Sequence, residues 1–391
     1  MKRNFLKIGI IAVLLAVVGS GSSLPIYAAT GLNVQYHSIT EIKNREKAII
    51  PLINKDNIMS SDKPVFKAPY NPGTVSKETQ TDAITILNFI RYVAGIPDDV
   101  QIKDEYQKKA QAGAFINAVN GGRSHHPTKS PGMDESLYQL CASGAGSSNL
   151  GWGYRNIYKS FMGWMQDEDP SNVDCVGHRR WCLNPEMKYT GIGIAGSYSS
   201  LYAFDHTFAE KNNSYVVAWP AQNTPLELVG EDLPWSVSFG KNLDVTSIHV
   251  TLKNKKSGQS WNFSSAKKDG DFYVNNVGYG QVGCVIVRPK NIKKYNNGDA
   301  FSVEINGQTE NGEKIAASYD VNFFSGHQHM GGYATCTSLA ECSICGEEYG
   351  TYAAHEWEQW YTEKKQQQRA KVYKNESAKT VGNLKNEKYP R

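Results

Sequence analysis

No apolar run in this 391-residue chain is long enough to cross a bilayer. The one candidate, Ile8 to Val18, falls well short of the roughly 20 residues that a spanning helix needs. Charge of one sign is also lacking. The formal net charge is +4, and Lys and Arg do not cluster where the chain reads as folded, which argues against a nucleic-acid binder. Cysteine is sparse: seven residues in two loose groups and one singleton are too few to scaffold a chain of this length, and an odd number leaves at least one unpaired or on a metal. There is no Gly-x-Ser-x-Gly elbow, so Ser147 and Ser148, in a Gly-Ser-rich turn, read as residues that shape backbone. No lipid-attachment cysteine follows the apolar run, and the C-terminus has no apolar stretch. The expectation is a released or loosely wall-bound chain.

What is present begins with a signal-peptide pattern. Lys2 and Arg3 precede the apolar core, and Ile26 and Ala28 suit a cut after Ala28, which assigns residues 1–28 to a signal peptide. Residues 29–68 read as an N-terminal segment and linker, because Pro64, Pro69, Pro72 and Gly73 disfavour helix from Ser60 to Ser76. With 40% hydrophobic residues, the rest can fill two or three cores. Ser76 caps a helix through Ile84, Leu87, Ile90 and Val93 that Gly95 and Pro97 stop. A second, half-buried helix carries Ile102, Tyr106, Ala110, Ala114, Phe115 and Ala118 and ends at Gly121 and Gly122. Further helices are expected at Tyr154–Met165 and Val176–Leu183. Strands are expected at Tyr189–Ala195, Leu201–Phe208 and Tyr215–Trp219, completing an α+β unit over 69–220. After Pro220 come short alternating runs at Ser236–Phe239, Ser247–Leu252, Asp271–Val274, Gly283–Arg288 and Ala300–Ile305. They predict an immunoglobulin-like β-sandwich over 221–325, with Cys284 as a small buried hydrophobe. Residues 326–358 form a Cys/His-rich, zinc-ribbon-like module. Residues 359–391 are a basic flexible tail, with nine Lys or Arg against three Glu from Thr362 onward.

The chemistry-bearing residues of the first unit come in a fixed order. Asn88 and Arg91 are followed by Ser124-His125-His126-Pro127, then Gly146-Ser147-Ser148-Asn149-Leu150, Met165 with Asp167, Gly177-His178-Arg179-Arg180-Trp181, Asn184-Pro185 and Gly191-Ile192-Gly193. This ordered set resembles the CAP superfamily, the cysteine-rich secretory and pathogenesis-related proteins, in its bacterial extracellular form. The resemblance runs from about Pro69 to Trp219, roughly two-fifths of the chain. It implies an α-β-α sandwich with a cleft lined by two histidines and acidic residues, able in some relatives to hold a divalent metal. His125 and His178 match the two histidines, and Asp167 matches the carboxylate, with Glu168 as its rival. Ser148 stands where many relatives carry Glu before Asn149 and Leu150, which implies a cleft short of one carboxylate.

Read without the family, two imidazoles and a carboxylate suit zinc or copper, or a site that only binds. Trp152, Tyr154, Tyr158, Trp164 and Trp181 read first as core and second as a ligand groove. Cys141 is expected to pair with Cys175 or Cys182. Those two are poor partners for each other, since seven helical residues separate them by about 10 Å. Near the C-terminus, Cys336, Cys342-Ser343-Ile344-Cys345 and His355 have spacings that close a structural zinc site, with His327 and His329 in reserve and a disulfide as the rival. This segment also resembles a short repeat of exported proteins of gut-type bacteria through Ala334-Thr335-Cys336, Cys342 to Gly346 and Tyr349-Gly350.

The reading that follows is a secreted, non-catalytic binding protein whose partner is a cell-wall component, a lipid-like small molecule or a surface protein, and not nucleic acid. A metal-assisted hydrolase using His125, His178 and Asp167 or Glu168 is the alternative. A surface adhesin using the CAP unit as a spacer is the third.

Overall fold

The computed structural model describes residues 31–57, 62–344 and 348–357, together with the short strand at 378–379. The signal peptide, Cys345 and most of the basic tail lie outside the described residues. Six α-helices are described: α1 (Ile39–Glu46), α2 (Lys77–Val93), α3 (Asp104–Asn120), α4 (Glu135–Gly146), α5 (Ile157–Gln166) and α6 (Gly177–Cys182). The strands of the first half are β1 (Gln101–Ile102), β2 (Ser148–Trp152), β3 (Tyr189–Thr190), β4 (Ile192–Ala195) and β5 (Tyr198–Tyr202). Those that follow are β6 (Val217–Trp219), β7 (Asn223–Pro225), β8 (Trp235–Ser238), β9 (His249–Asn254), β10 (Ser260–Phe263), β11 (Gly270–Asn275) and β12 (Cys284–Pro289). The last are β13 (Ala300–Gln308), β14 (Lys314–Phe324), β15 (Ala340–Glu341), β16 (Glu348–Tyr349), β17 (Glu356–Trp357) and β18 (Ala378–Lys379). Mixed helix and sheet in this order make the chain α+β.

Local signals account for the helix ends. Ser76 caps α2 by accepting from the Thr79 N–H, and Gly121 ends α3 in the left-handed conformation it tolerates at no steric cost. The middle of α3, from Ala110 to Asn117, is buried all round rather than on one face, because it lies between the β2-β5-β4 sheet and α4. Small residues permit this. A Cβ on Gly193 of β4 would lie 2.2 Å from the Ala110 carbonyl oxygen, and one on Gly144 of α4 only 2.0 Å from that of Lys109. The sheet's other face joins a core with Leu87, Phe161, Trp164, Ile192 and Leu201, so helices cover both sides.

Two sheets build the second half, in orders β10-β9-β13-β14-β7 and β11-β12-β8-β6. Strand alternation in β13 and β14 turns Phe301, Val303, Ile305, Tyr319 and Val321 inward, toward Trp235, Val237, Val285 and Val287. The boundary expected at 220 is corrected here. Val217–Trp219 pairs with Trp235–Ser238 and is therefore an edge of the sandwich, not a strand of the first unit. Residues 31–57 are more than a linker as well. Ser38 and Glu41 form a capping box on α1, and Leu32, Val34, Ile42, Ile49 and Ile53 enter the same core as α2 and the sandwich. Cys284 is buried beside Val176 and Ile286, as expected of a small hydrophobe.

The disulfide expectation is also corrected. Cys141, Cys175 and Cys182 are all free thiols. Cys141 packs in the α3–α4 cluster while Cys182 belongs to the main core across the sheet, so export cannot join them without dismantling both. Burial pushes the Cys141 and Cys182 thiols up to about 12 and that of Cys175 up to about 11. Alkylation after unfolding without reductant should label all three, and a mass two protons short on any pair would contradict the structure.

Candidate functional site

The residues expected to line the cleft gather around α6. Val176, its N-cap, and Asp167, the C-cap of α5, stand in left-handed backbone at φ 42° and φ 49°. Such strain costs on the order of 1–3 kcal/mol per residue and survives where surrounding contacts fix it. Here the contact is a pair: His178 Nδ1 lies 2.8 Å from Asp167 Oδ1, and the Arg179 N–H donates to Asp167 Oδ2 at 3.2 Å. Asp167 is buried and His178 half-buried. Asn149 donates from Nδ2 to the His178 carbonyl at 2.8 Å, which fixes the helix start from β2. His125 comes from the turn after α3, with Nδ1 2.8 Å from the Ala145 carbonyl oxygen. Burial lowers its pKa, the Ala145 carbonyl counters this, and the nearby His178 and His126 lower it further.

The residues named for this cleft therefore separate by role. His125 and His178 approach each other, and Asp167 orients His178 from behind. Glu168 is exposed one residue further on. Ser148 is buried, and its hydroxyl has no hydrogen-bond partner among the described residues. A divalent metal does not fit this donor set. Among the described residues, His125, His178 and either carboxylate do not bring three ligand atoms within 4.8 Å of one another, and Asp167 is already engaged twice. The aromatics divide: Tyr158 and Trp164 fill the core, Trp152 and Tyr154 are exposed, and Trp181 tilts against exposed Phe204 at 4.7 Å.

The two arginines after His178 are structural anchors. Arg179 is fully buried and donates to the carbonyls of Met165 at 2.6 Å, Gln166 at 2.7 Å and Pro234 at 2.6 Å, and to Ser236 Oγ at 3.1 Å. Arg180 reaches Asn275 Oδ1 at 3.0 Å and the Val277 and Gln281 carbonyls, binding the same helix to the sandwich.

A second constellation lies at the other end of α5. His327, His329 and Cys342 place their ligand atoms within 4.8 Å of one another, so this group could hold a metal. His327 Nε2 is 3.3 Å from Cys342 Sγ, and its Nδ1 pairs with Glu227. The expected set is corrected accordingly: Cys342 is kept, the reserve histidines enter, and neither Cys336 nor His355 is part of the group. Behind Glu227 lies Glu46, fully buried. Its carboxyl is pushed up to about 9 by burial and by the neighbouring Glu227. A cavity of about 390 Å³, lined by Tyr154, Tyr158, Met162, Leu226, Glu227 and His327, runs along α5 beside this group.

No family model and no curated protein matches the chain. Among solved structures, CopC from Methylosinus trichosporium OB3b matches 29% of this chain and 94% of its own, at 9% identity and TM-score 0.20. PcoC, a methionine rich copper resistance protein from Escherichia coli, matches 27% and 92%, at 13% identity and TM-score 0.20. These likenesses are too slight to bear on fold or function.

The two sites differ in how legible they were. The Asp167–His178 contact joins two residues that the sequence motif had already singled out. Glu46 and Glu227 carried no signal, since each is a single acidic residue in an ordinary segment and only the fold brings them to the C-terminal histidines.

Proposed function

We propose that this chain is an exported CAP-like protein that binds a ligand at the His125–His178 cleft without turning it over. The observation that carries this reading is how the histidines are held. Each spends Nδ1 on a fixed protein acceptor, Asp167 or the Ala145 carbonyl, which leaves Nε2 as the ring atom for a ligand. Among the described residues the candidate nucleophiles nearby are not activated. Ser147 Oγ donates to the Ser143 carbonyl at 2.7 Å, and burial keeps the thiols of Cys175 and Cys182 protonated. Exposed Trp152 and Tyr154 give a ligand flat apolar surface. A wall glycan or a lipid-like molecule meets these requirements. Export rests on the signal-peptide pattern, and among the described residues no helix is long and apolar enough to cross a membrane.

The test is a comparison of wild type with His178→Ala. Peptidase and esterase turnover should be equal in the two, while retention on insoluble wall polymer or on lipid vesicles should fall at least fivefold in the variant. Turnover that disappears with His178 would replace this reading by the hydrolase one.

For the His327, His329 and Cys342 group the proposed ion is zinc. One thiolate and two imidazoles form a borderline-soft set, and a carboxylate behind a ligating histidine is the usual second partner of such sites.

A further inference from the structure

The C-terminal module has almost no core of its own. Of the described residues from 326 to 355, only His327, Ala340 and Cys342 are buried, and two of those three side chains belong to the proposed zinc group. Its hairpin, β15 with β16, has two residue pairs, fewer than a free-standing sheet needs. Something other than apolar burial must hold it.

The ligands come from parts of the chain that fold with different neighbours. His327 follows β14, whose last residues Phe323 and Phe324 lie in the sandwich core. Glu227 fixes it there twice over: its carboxylate pairs with Nδ1 and accepts the Gly326 N–H at 3.1 Å on each oxygen. Both side chains are almost fully buried, at 3% exposure each. An Nδ1–H donated to a carboxylate fixes the tautomer whose Nε2 carries the lone pair, and that atom is the one facing Cys342. Cys342 belongs to the hairpin turn. The Ile344 N–H donates to its sulfur at 3.4 Å, which holds the sulfur within the turn. The same turn is met by Asn54 of the N-terminal segment, whose Nδ2 donates to the Ser343 carbonyl at 2.7 Å and the Ile344 carbonyl at 3.2 Å. His329 stacks on Tyr349 of β16 with ring centroids 5.4 Å apart, which brings the third donor from the module itself.

We infer that zinc at His327, His329 and Cys342 is a latch that fastens the C-terminal hairpin onto the sandwich and the N-terminal segment, with Glu227 as the positioning residue for His327. The inference rests on metal binding at this group, and it adds that binding there controls docking. A thiol-enzyme reading of Glu227, His327 and Cys342 is disfavoured by the burial of Cys342, which is 2% exposed and out of a substrate's reach.

The experiment uses the full secreted chain, purified without chelator. Metal content should be one zinc per chain. Cobalt replacement should give a sulfur-to-cobalt charge-transfer band that Cys342→Ser removes. Stripping the metal should raise amide exchange at least tenfold at 340–344 and 348–349, with no change in β9 or β13. Glu227→Gln should keep the fold by circular dichroism, weaken zinc 10–100-fold and shift the cobalt d–d bands. If that variant does not fold, His329→Ala, a less buried ligand, carries the affinity comparison. Zinc bound one to one with exchange unchanged on stripping would overturn the latch and leave the zinc reading standing. Absence of both zinc and a cobalt–sulfur band would overturn the zinc reading and the latch with it. Rapid alkylation of Cys342 at saturating zinc would overturn the ligand set.

Discussion

Replacing Arg179 with alanine is expected to destabilise the protein by about 3–5 kcal/mol, read as a shift in urea midpoint at unchanged slope. The guanidinium is fully buried and serves the carbonyls of Met165, Gln166 and Pro234 and the Ser236 hydroxyl. Removing it strands several buried acceptors, each worth roughly 1–3 kcal/mol of desolvation, and opens a cavity at the seam between α6 and β8. Among the described residues no carboxylate forms an ion pair with it, so a salt-bridge count would miss it. Burial lowers its pKa to about 10, which still leaves it charged at neutral pH. Arg155 supplies the control, because its pairing with Asp56 is exposed on both sides and its removal should cost under about 0.5 kcal/mol. An Arg179→Ala loss below about 1 kcal/mol would show that water reaches the seam and solvates those carbonyls.

The second large effect is a pH dependence centred on Glu46. Its carboxyl is raised from 4.5 to about 9, first by burial and then by Glu227, with Lys43 opposing. The folded state therefore holds a proton that the unfolded state has released above about pH 5. Its contribution is fully present below pH 4.5 and is lost as pH rises toward 9, at no more than about 1.4 kcal/mol per pH unit. Other groups facing this pair include Lys43 and, through Glu227, His327. Glu46→Gln keeps the shape and the neutrality without the proton. With chelator present, the variant should match wild type near pH 5 and exceed it by at least about 2 kcal/mol at pH 8.5. Parallel stability curves across that range would remove Glu46 as the cause.

The sequence made some elements plain and hid others for physical reasons. Helices α2 and α3 announce themselves through Ser76 and Gly121, which act within a few residues of chain. The cap of α4, where Asp134 accepts from the Ser136 and Leu137 N–H groups, is equally local, but the Ser, Gly and Ala of the helix that follows blur its apolar periodicity, and no element is expected there from the sequence. The signature around His178 singled out a run of residues, yet it did not separate its parts: His178 pairs with Asp167, while Arg179 and Arg180 work backward into the sandwich. Spacing misled most at the C-terminus. Cys342-Ser343-Ile344-Cys345 invites a ligand set drawn from nearby residues, but a histidine becomes a good donor through what holds its other nitrogen. For His327 that partner is 100 residues away. A chain read in order has no means of seeing it.

The placement of β6 bears on how this protein can be divided. A fragment ending at Pro220 would carry Val217–Trp219 as a strand with nothing to pair, and a fragment starting at Ala221 would leave Trp235–Ser238 as a raw edge. Each half would then expose backbone ready to pair with other copies of itself. Dissection at the boundary the family resemblance suggests should therefore yield two aggregating pieces, whereas tags and insertions belong at exposed turns such as Lys255 to Gly258.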